Sequence, residues 1–147
     1  MLGRIQVMSL LAAAVTVAGS GCKKGSQATN DVGMASTGSG EVRITDVQLG
    51  RRVGPDRRVT NEMDNFSSRD TIYASVLTSG TAPSTTVTAR WTYQDGQLVS
   101  EDSRTISPSG AEATEFHIAK PSAWPKGKYK VTVTAGGSTE SEDFEVK

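Results

Sequence analysis

Few side chains in this 147-residue chain have the chemistry for catalysis or metal binding, and they are widely spaced. There is one cysteine, Cys22, and one histidine, His117. A single cysteine excludes an intramolecular disulfide and a zinc site built on several thiolates. His117 stands between Phe116 and Ile118. If those two face a core, alternation turns the imidazole outward, away from any buried nucleophile. A Ser-His-Asp arrangement needs a serine and a carboxylate tied to the histidine, and no G-x-S-x-G turn occurs. Carboxylates gather at Glu101-Asp102 and from Glu140 to Glu145, without the D-x-[DN]-x-[DN]-G spacing that wraps calcium. A glycosidase pair would need two carboxyls facing across a cleft, and strand carboxylates on outer faces stay solvated. Lys128 and Lys130 placed across from Asp143 and Glu145 give some of these acids a structural role as cross-strand ion pairs. No Gly-rich loop joins a strand to a helix, so nucleotide binding has no support. The expectation is a protein without catalytic residues, metal or cofactor.

Two other groups invite a binding role. Arg51, Arg52, Arg57 and Arg58 flank a Gly-Pro-Asp turn at Gly54 to Asp56. If the flanks pair as a hairpin, like charges concentrate at its tip unless Asp46, Glu62 or Asp64 neutralise them. An anionic partner, whether lipid headgroups, lipopolysaccharide or an acidic protein surface, is the matching contact. The bland alternative is a solvated loop with local ion pairs. Of the two tryptophans, Trp91 alternates with Val87 and Ala89 and belongs to a core. Trp124, held before Pro125, is expected to plug the end of the domain rather than stand exposed for a sugar.

The elements that position these residues fall into three parts. Residues 1–21 have a basic start at Arg4, an apolar stretch from Val7 to Ala18 and small residues at Gly19, Ser20 and Gly21. That is the layout of a cleaved export signal, and the apolar stretch is shorter than the roughly 20 residues a spanning helix needs. Small residues ending at Gly21 with Cys22 next resemble the lipobox of bacterial lipoproteins, although Gly19 stands where that family usually has a large aliphatic residue. The resemblance implies cleavage before Cys22, acylation of its thiol and membrane attachment through the acyl anchor. Two or more chains make such an anchor stable, and Lys23 and Lys24 add attraction to anionic headgroups. In a Gram-negative organism, Lys23 after the cysteine resembles lipoproteins sorted to the outer membrane. The alternative is an ordinary secretory signal that leaves Cys22 an incidental thiol.

Residues 22–40 are rich in Gly, Ser, Thr and Ala without apolar periodicity, and form a flexible tether spanning about 25 Å. From residue 41 to residue 147 the pattern becomes period-two alternation. Val42, Ile44, Val47 and Leu49 begin it, followed by Ile72, Ala74 and Val76, then Val87, Ala89, Trp91 and Tyr93. Asp95-Gly96 signals a hairpin into a strand from Leu98 to Ile106, and Ser107 to Gly110 a further turn. Phe116 and Ile118 mark another strand, as do Tyr129, Val131, Val133 and Ala135. Gly136-Gly137 leads into a last one with Phe144 and Val146. This predicts an all-β, antiparallel sandwich of seven to eight strands. The W-P-x-G-x-Y-x-V run from Trp124, with D-T-I-Y-A-S-V and R-W-T-Y-Q-D-G-Q-L-V before it, resembles immunoglobulin-like domains of bacterial envelope proteins. The resemblance covers roughly Phe66 to Lys147 and implies an immunoglobulin-like sandwich without a common activity.

Sixteen basic and sixteen acidic residues cancel, which argues against nucleic acid as a partner. The function these observations imply is a lipid-anchored envelope protein whose domain is a non-catalytic binding or accessory module. A structural envelope lipoprotein, or an inhibitor or subunit of an envelope enzyme complex, is the alternative.

Overall fold

The computed structural model describes residues 41–147; the expected signal segment 1–21, the expected tether 22–40 and Cys22 lie outside them. Eight strands form: β1 (Arg43–Gly50), β2 (Asn65–Phe66), β3 (Ile72–Ser79), β4 (Thr85–Tyr93), β5 (Gln97–Ile106), β6 (Glu112–Ile118), β7 (Gly127–Ala135) and β8 (Ser138–Val146). They make two sheets, β1-β3-β6 and β2-β8-β7-β4-β5. With β1, β3 and β6 in one layer and β8, β7 and β4 in the other, this is the pairing of an immunoglobulin-like sandwich, extended at one edge by β5.

Alternation decides which side chains meet. Ala74, Val76 and Phe116 on one sheet face Val87, Ala89, Trp91, Val131 and Val133 on the other, all at or below 1% exposure. Burying each large side chain stabilises the fold by about 1.5–3 kcal/mol. Phe144 is the hub of the aromatic packing. Phe66 and Trp91 meet it edge-on, at 5.6 and 5.9 Å between centroids, and Tyr129 stacks on it at 5.2 Å. From Val42 into β1 the buried residues Val42, Ile44, Val47 and Leu49 are spaced two, three and two apart. A bulge between Ile44 and Asp46 absorbs the odd step, so Ile44 and Val47 both point inward.

The expected all-β sandwich, with eight strands, and the hairpin at Asp95-Gly96 are both present, with two refinements of detail. The sandwich is not wholly antiparallel, because β2 pairs parallel to β8, Asn65 with Glu145 and Phe66 with Val146. The first strand pairs with β3, leaves its sheet after Gly50, and its continuation β2 joins the other layer, bringing Phe66 into the core. Antiparallel geometry was expected because hairpin turns join neighbours, whereas a two-residue strand that crosses between layers carries no such signal. The β4–β5 connection is also longer than a two-residue turn. Tyr93 pairs with Gln97, leaving Gln94, Asp95 and Gly96 as the loop, with positive φ at Gln94 (49°) and Gly96 (97°). Gly136-Gly137 does form a two-residue hairpin, with Ala135 paired to Ser138.

Candidate binding cleft on the open flank

A sandwich has two flanks where the edges of its sheets meet. On the first, the backbone N–H of Ile44 in β1 donates to Ser138 Oγ of β8 at 3.3 Å. On the second, β5 and β6 each pair with one neighbour only, β4 and β3 respectively. Among the described residues, no backbone ladder closes this flank.

One side chain crosses it. Val87 pairs with Arg104 and Ala89 with Asp102, so these two charged residues share the core-facing side of β5, while Glu101, next to Asp102, faces out. Arg104 extends over β6, with its guanidinium carbon 5.4 Å from the Phe116 ring centroid and Nη2 3.8 Å from Glu115 Oε2. Inward-pointing charges on an edge strand discourage further pairing there. Arg104 therefore clasps the flank near its middle.

Toward the β4–β5 turn the flank is open, and a cleft of about 630 Å³ lies between Gln97–Ser100 and the segment from Ile118 to Lys120. A second bulge shapes its β5 wall. Trp91 pairs with Ser100 and Thr92 with Leu98, which leaves Val99 as the extra residue, half-buried against the core. Leu98 is 51% exposed beside it, the one large hydrophobic so exposed among the described residues.

Tyr93, Trp124 and Tyr129 form the aromatic side of the cleft. Trp124 is buried, as its position before Pro125 led us to expect. Its backbone N–H donates to Ser68 O at 2.6 Å and its indole Nε1–H to Asp70 O at 3.0 Å, tying the end of the sandwich to the β2–β3 connection. Tyr129 donates from its hydroxyl to Pro125 O at 2.7 Å, and Tyr93 to Lys126 O at 3.0 Å. Burial, with the neighbouring Tyr93 adding to it, pushes the Tyr129 phenol above its ordinary pKa. Gly127 beneath these rings has φ 142°, and a Cβ there would lie 3.1 Å from Tyr93 Cε2. Only glycine meets both conditions. Lys120 places its Nζ 5.7 Å from the Trp124 ring centroid and, among the described residues, has no carboxylate within ion-pairing distance. The cleft is thus apolar on two sides, with an unpaired ammonium at its rim and no lining carboxylate.

The arginine cluster does form a hairpin. Val53 bridges to Val59, and Gly54 N–H donates to Arg58 O at 2.8 Å. It does not project as a charged tip. Ser75 on the outer face of β3 donates to Arg57 O at 2.7 Å, so the hairpin lies against the three-stranded sheet. Three of the four arginines have carboxylates within 4 Å, which are not the acids expected. Arg51 Nε is 2.7 Å from Asp70, Arg57 Nη1 3.8 Å from Glu112 and Arg58 Nε 3.9 Å from Asp56. Arg52 is exposed and has no such partner among the described residues. Asp46, Glu62 and Asp64 instead act on Glu142, whose carboxyl is held above its ordinary pKa by partial burial first, then by Glu62, Asp143, Asp46 and Asp64.

Of the remaining chemistry-bearing residues, His117 borders the cleft and the others stay apart from it. His117 is exposed on the outer face of the three-stranded sheet, with Nδ1 2.6 Å from Glu115 Oε1 and its ring 5.3 Å from that of Tyr73. Lys128 and Lys130 do lie across from Glu145 and Asp143, and Lys130 Nζ reaches Asp143 at 3.5 Å. Glu140 and Glu142 are not on an outer face, because they pair with Val133 and Val131 and share the core-facing side of β8. They remain exposed there because that half of β8 is a sheet edge. Sequence reasoning overlooked Leu98, Arg104 and Lys120. Arg104 left a trace, since it alternates with Ile106.

No family model matches the chain, and no curated protein matches it. Among solved structures, it is similar to a β-glucosidase from Erythrobacter marinus, with 8% identity over 74% of this chain and 16% of that one, and a TM-score of 0.52. It is also similar to a β-glucosidase from Listeria innocua in complex with glucose, with 9% identity over 73% and 16% and a TM-score of 0.45. A further match is the CARDB domain of a Pyrococcus furiosus protein in complex with di-metal ions, with 13% identity over 71% and 90% and a TM-score of 0.44. The chain spans about a sixth of the length of these β-glucosidases. At such identities the likeness concerns the fold alone.

Proposed function

We propose that the protein is a lipid-anchored component of a bacterial envelope whose immunoglobulin-like domain is a non-catalytic binding module. Cys22, following the small residues Gly19 to Gly21, supplies the acyl anchor, and residues 22–40 hold the domain away from the headgroups. The observation that carries the binding role is the open flank, where exposed Leu98 and Lys120 border an aromatic-lined cleft beside two unpaired sheet edges. Free edges with apolar surface next to them are where such domains take partners.

Two measurements test this. Globomycin treatment, or Cys22→Ser, should each leave an uncut precursor, and normal processing in both overturns the anchor. Photocrosslinking of the acylated protein in intact envelopes should trap a discrete partner. A lone monomer would move the assignment to a structural envelope lipoprotein.

A further inference from the structure

The open flank has a shape that narrows what it can hold. Constant-type immunoglobulin sandwiches carry a fourth strand beside the one equivalent to β6, covering that edge. Here the described residues contribute no such strand, so a three-stranded sheet faces a five-stranded one and β5 overhangs it. The edge is not uniformly accessible. Arg104 wraps it at Phe116 and Glu115, which leaves Ile118 to Lys120 as the bare stretch facing Gln97–Ser100. Beyond the paired Ile118, that stretch offers the backbone of Ala119 and Lys120, which belong to no strand, an apolar wall at Val99 and Leu98, an aromatic wall at Trp124 and Tyr129, and a cation at Lys120. Among the described residues the cleft lining contains no acid to compete for Lys120, and His117 also borders it.

We infer that this cleft takes a short extended segment of a partner protein, added as a strand along Ile118 to Lys120. The segment carries an apolar side chain for the Leu98–Val99 wall and a carboxylate, from an acidic residue or a chain end, for Lys120. Backbone pairing supplies affinity in this mode and the side-chain contacts select the sequence. Charge complementarity sets the direction of the segment, because only its acidic end is stabilised beside the ammonium. Arg104 limits the length of strand the edge accepts. This inference rests on the binding-module reading and assigns its site.

The test uses the full chain in detergent micelles as bait for phage-displayed random dodecapeptides, with empty micelles as counter-selection. Enriched peptides are expected to place an acid near an apolar residue and to perturb the amide signals of Ile118, Ala119 and Lys120. Lys120→Glu should weaken them by about tenfold or more, the effect of one charge-assisted hydrogen bond, and should enrich peptides with a basic residue at that place instead. Leu98→Ser, also at an exposed position, should weaken binding without changing the charge preference. Failure to enrich any family over empty micelles overturns the inference, as does a family indifferent to both substitutions. Envelope crosslinking repeated with Lys120→Glu separates the two claims. A partner trapped undiminished by that variant leaves the binding module standing and removes the cleft as its site.

Discussion

Arg104 of β5 lies with its guanidinium carbon 5.4 Å from the ring centroid of Phe116 in β6, joining the edge strands of two sheets that are not paired with each other. Arg104→Ala should lower the unfolding free energy by about 0.5–1 kcal/mol, the range of an exposed cation–π contact. Urea denaturation of the variant measures it. Combined with Glu115→Gln it should show a coupling below about 1 kcal/mol, because the pair at 3.8 Å is partly solvated.

Thr114 occupies a core-facing position of β6 opposite Val76, and its hydroxyl is buried without a hydrogen-bond partner among the described residues. Leaving such a group unsatisfied costs about 1–3 kcal/mol. Thr114→Val keeps the shape and removes the hydroxyl, so the midpoint of denaturation should rise. The gain expected is about 1 kcal/mol with an unchanged m-value. A loss of stability would mean the hydroxyl finds a partner in solution.

Glu142 gives a pH signature. Its carboxyl titrates above the ordinary range in the folded chain, so its ionisation disfavours folding. The stability associated with the protonated group is present below the unfolded pKa and is lost as pH rises through the folded one. Glu142→Gln should therefore stabilise the domain at neutral pH, by about 0.5 kcal/mol or less for so exposed a group. That advantage should vanish below the unfolded carboxylate pKa, as measured by Tm against pH.

Trp124 ties the cleft to the body of the domain through two hydrogen bonds to the β2–β3 connection. Trp124→Phe retains a ring and deletes the indole donor to Asp70 O, and should cost about 1 kcal/mol. Trp124→Ala should cost about 3–5 kcal/mol, as large aromatic truncations do. Both are read from denaturant midpoints. Equal losses would show that the ring's packing contributes little and the hydrogen bond nearly everything.

Much of this architecture was legible in the residues. Val87, Ala89, Trp91 and the run from Tyr129 to Ala135 announced strands and their buried faces, because alternation is a local property. His117 pointed outward for the same reason. The bulges were less visible. Val47 follows Ile44 by three positions, and the odd spacing makes sense only once β1 is paired with β3. Phe66 had no alternation around it, so its place beside Phe144 depended on a parallel pairing with a strand nearly eighty residues later. The four arginines were conspicuous as a group, yet Asp70 and Glu112, which neutralise two of them, are distant in sequence or belong to another strand.

What the sequence determined alone was the strand content and the inward face of most strands; a domain start after residue 40 and an anchor at Cys22 are expectations it raised. Tertiary structure decided which layer each strand joined, and hence which two edges stayed bare. It also carried Arg104 across the gap to Phe116 and brought Leu98, Lys120 and Trp124 around one cleft. Periodicity specifies how a strand divides its side chains between two faces. It does not specify the strand's neighbours, and a flank between two sheets exists only after those neighbours are chosen.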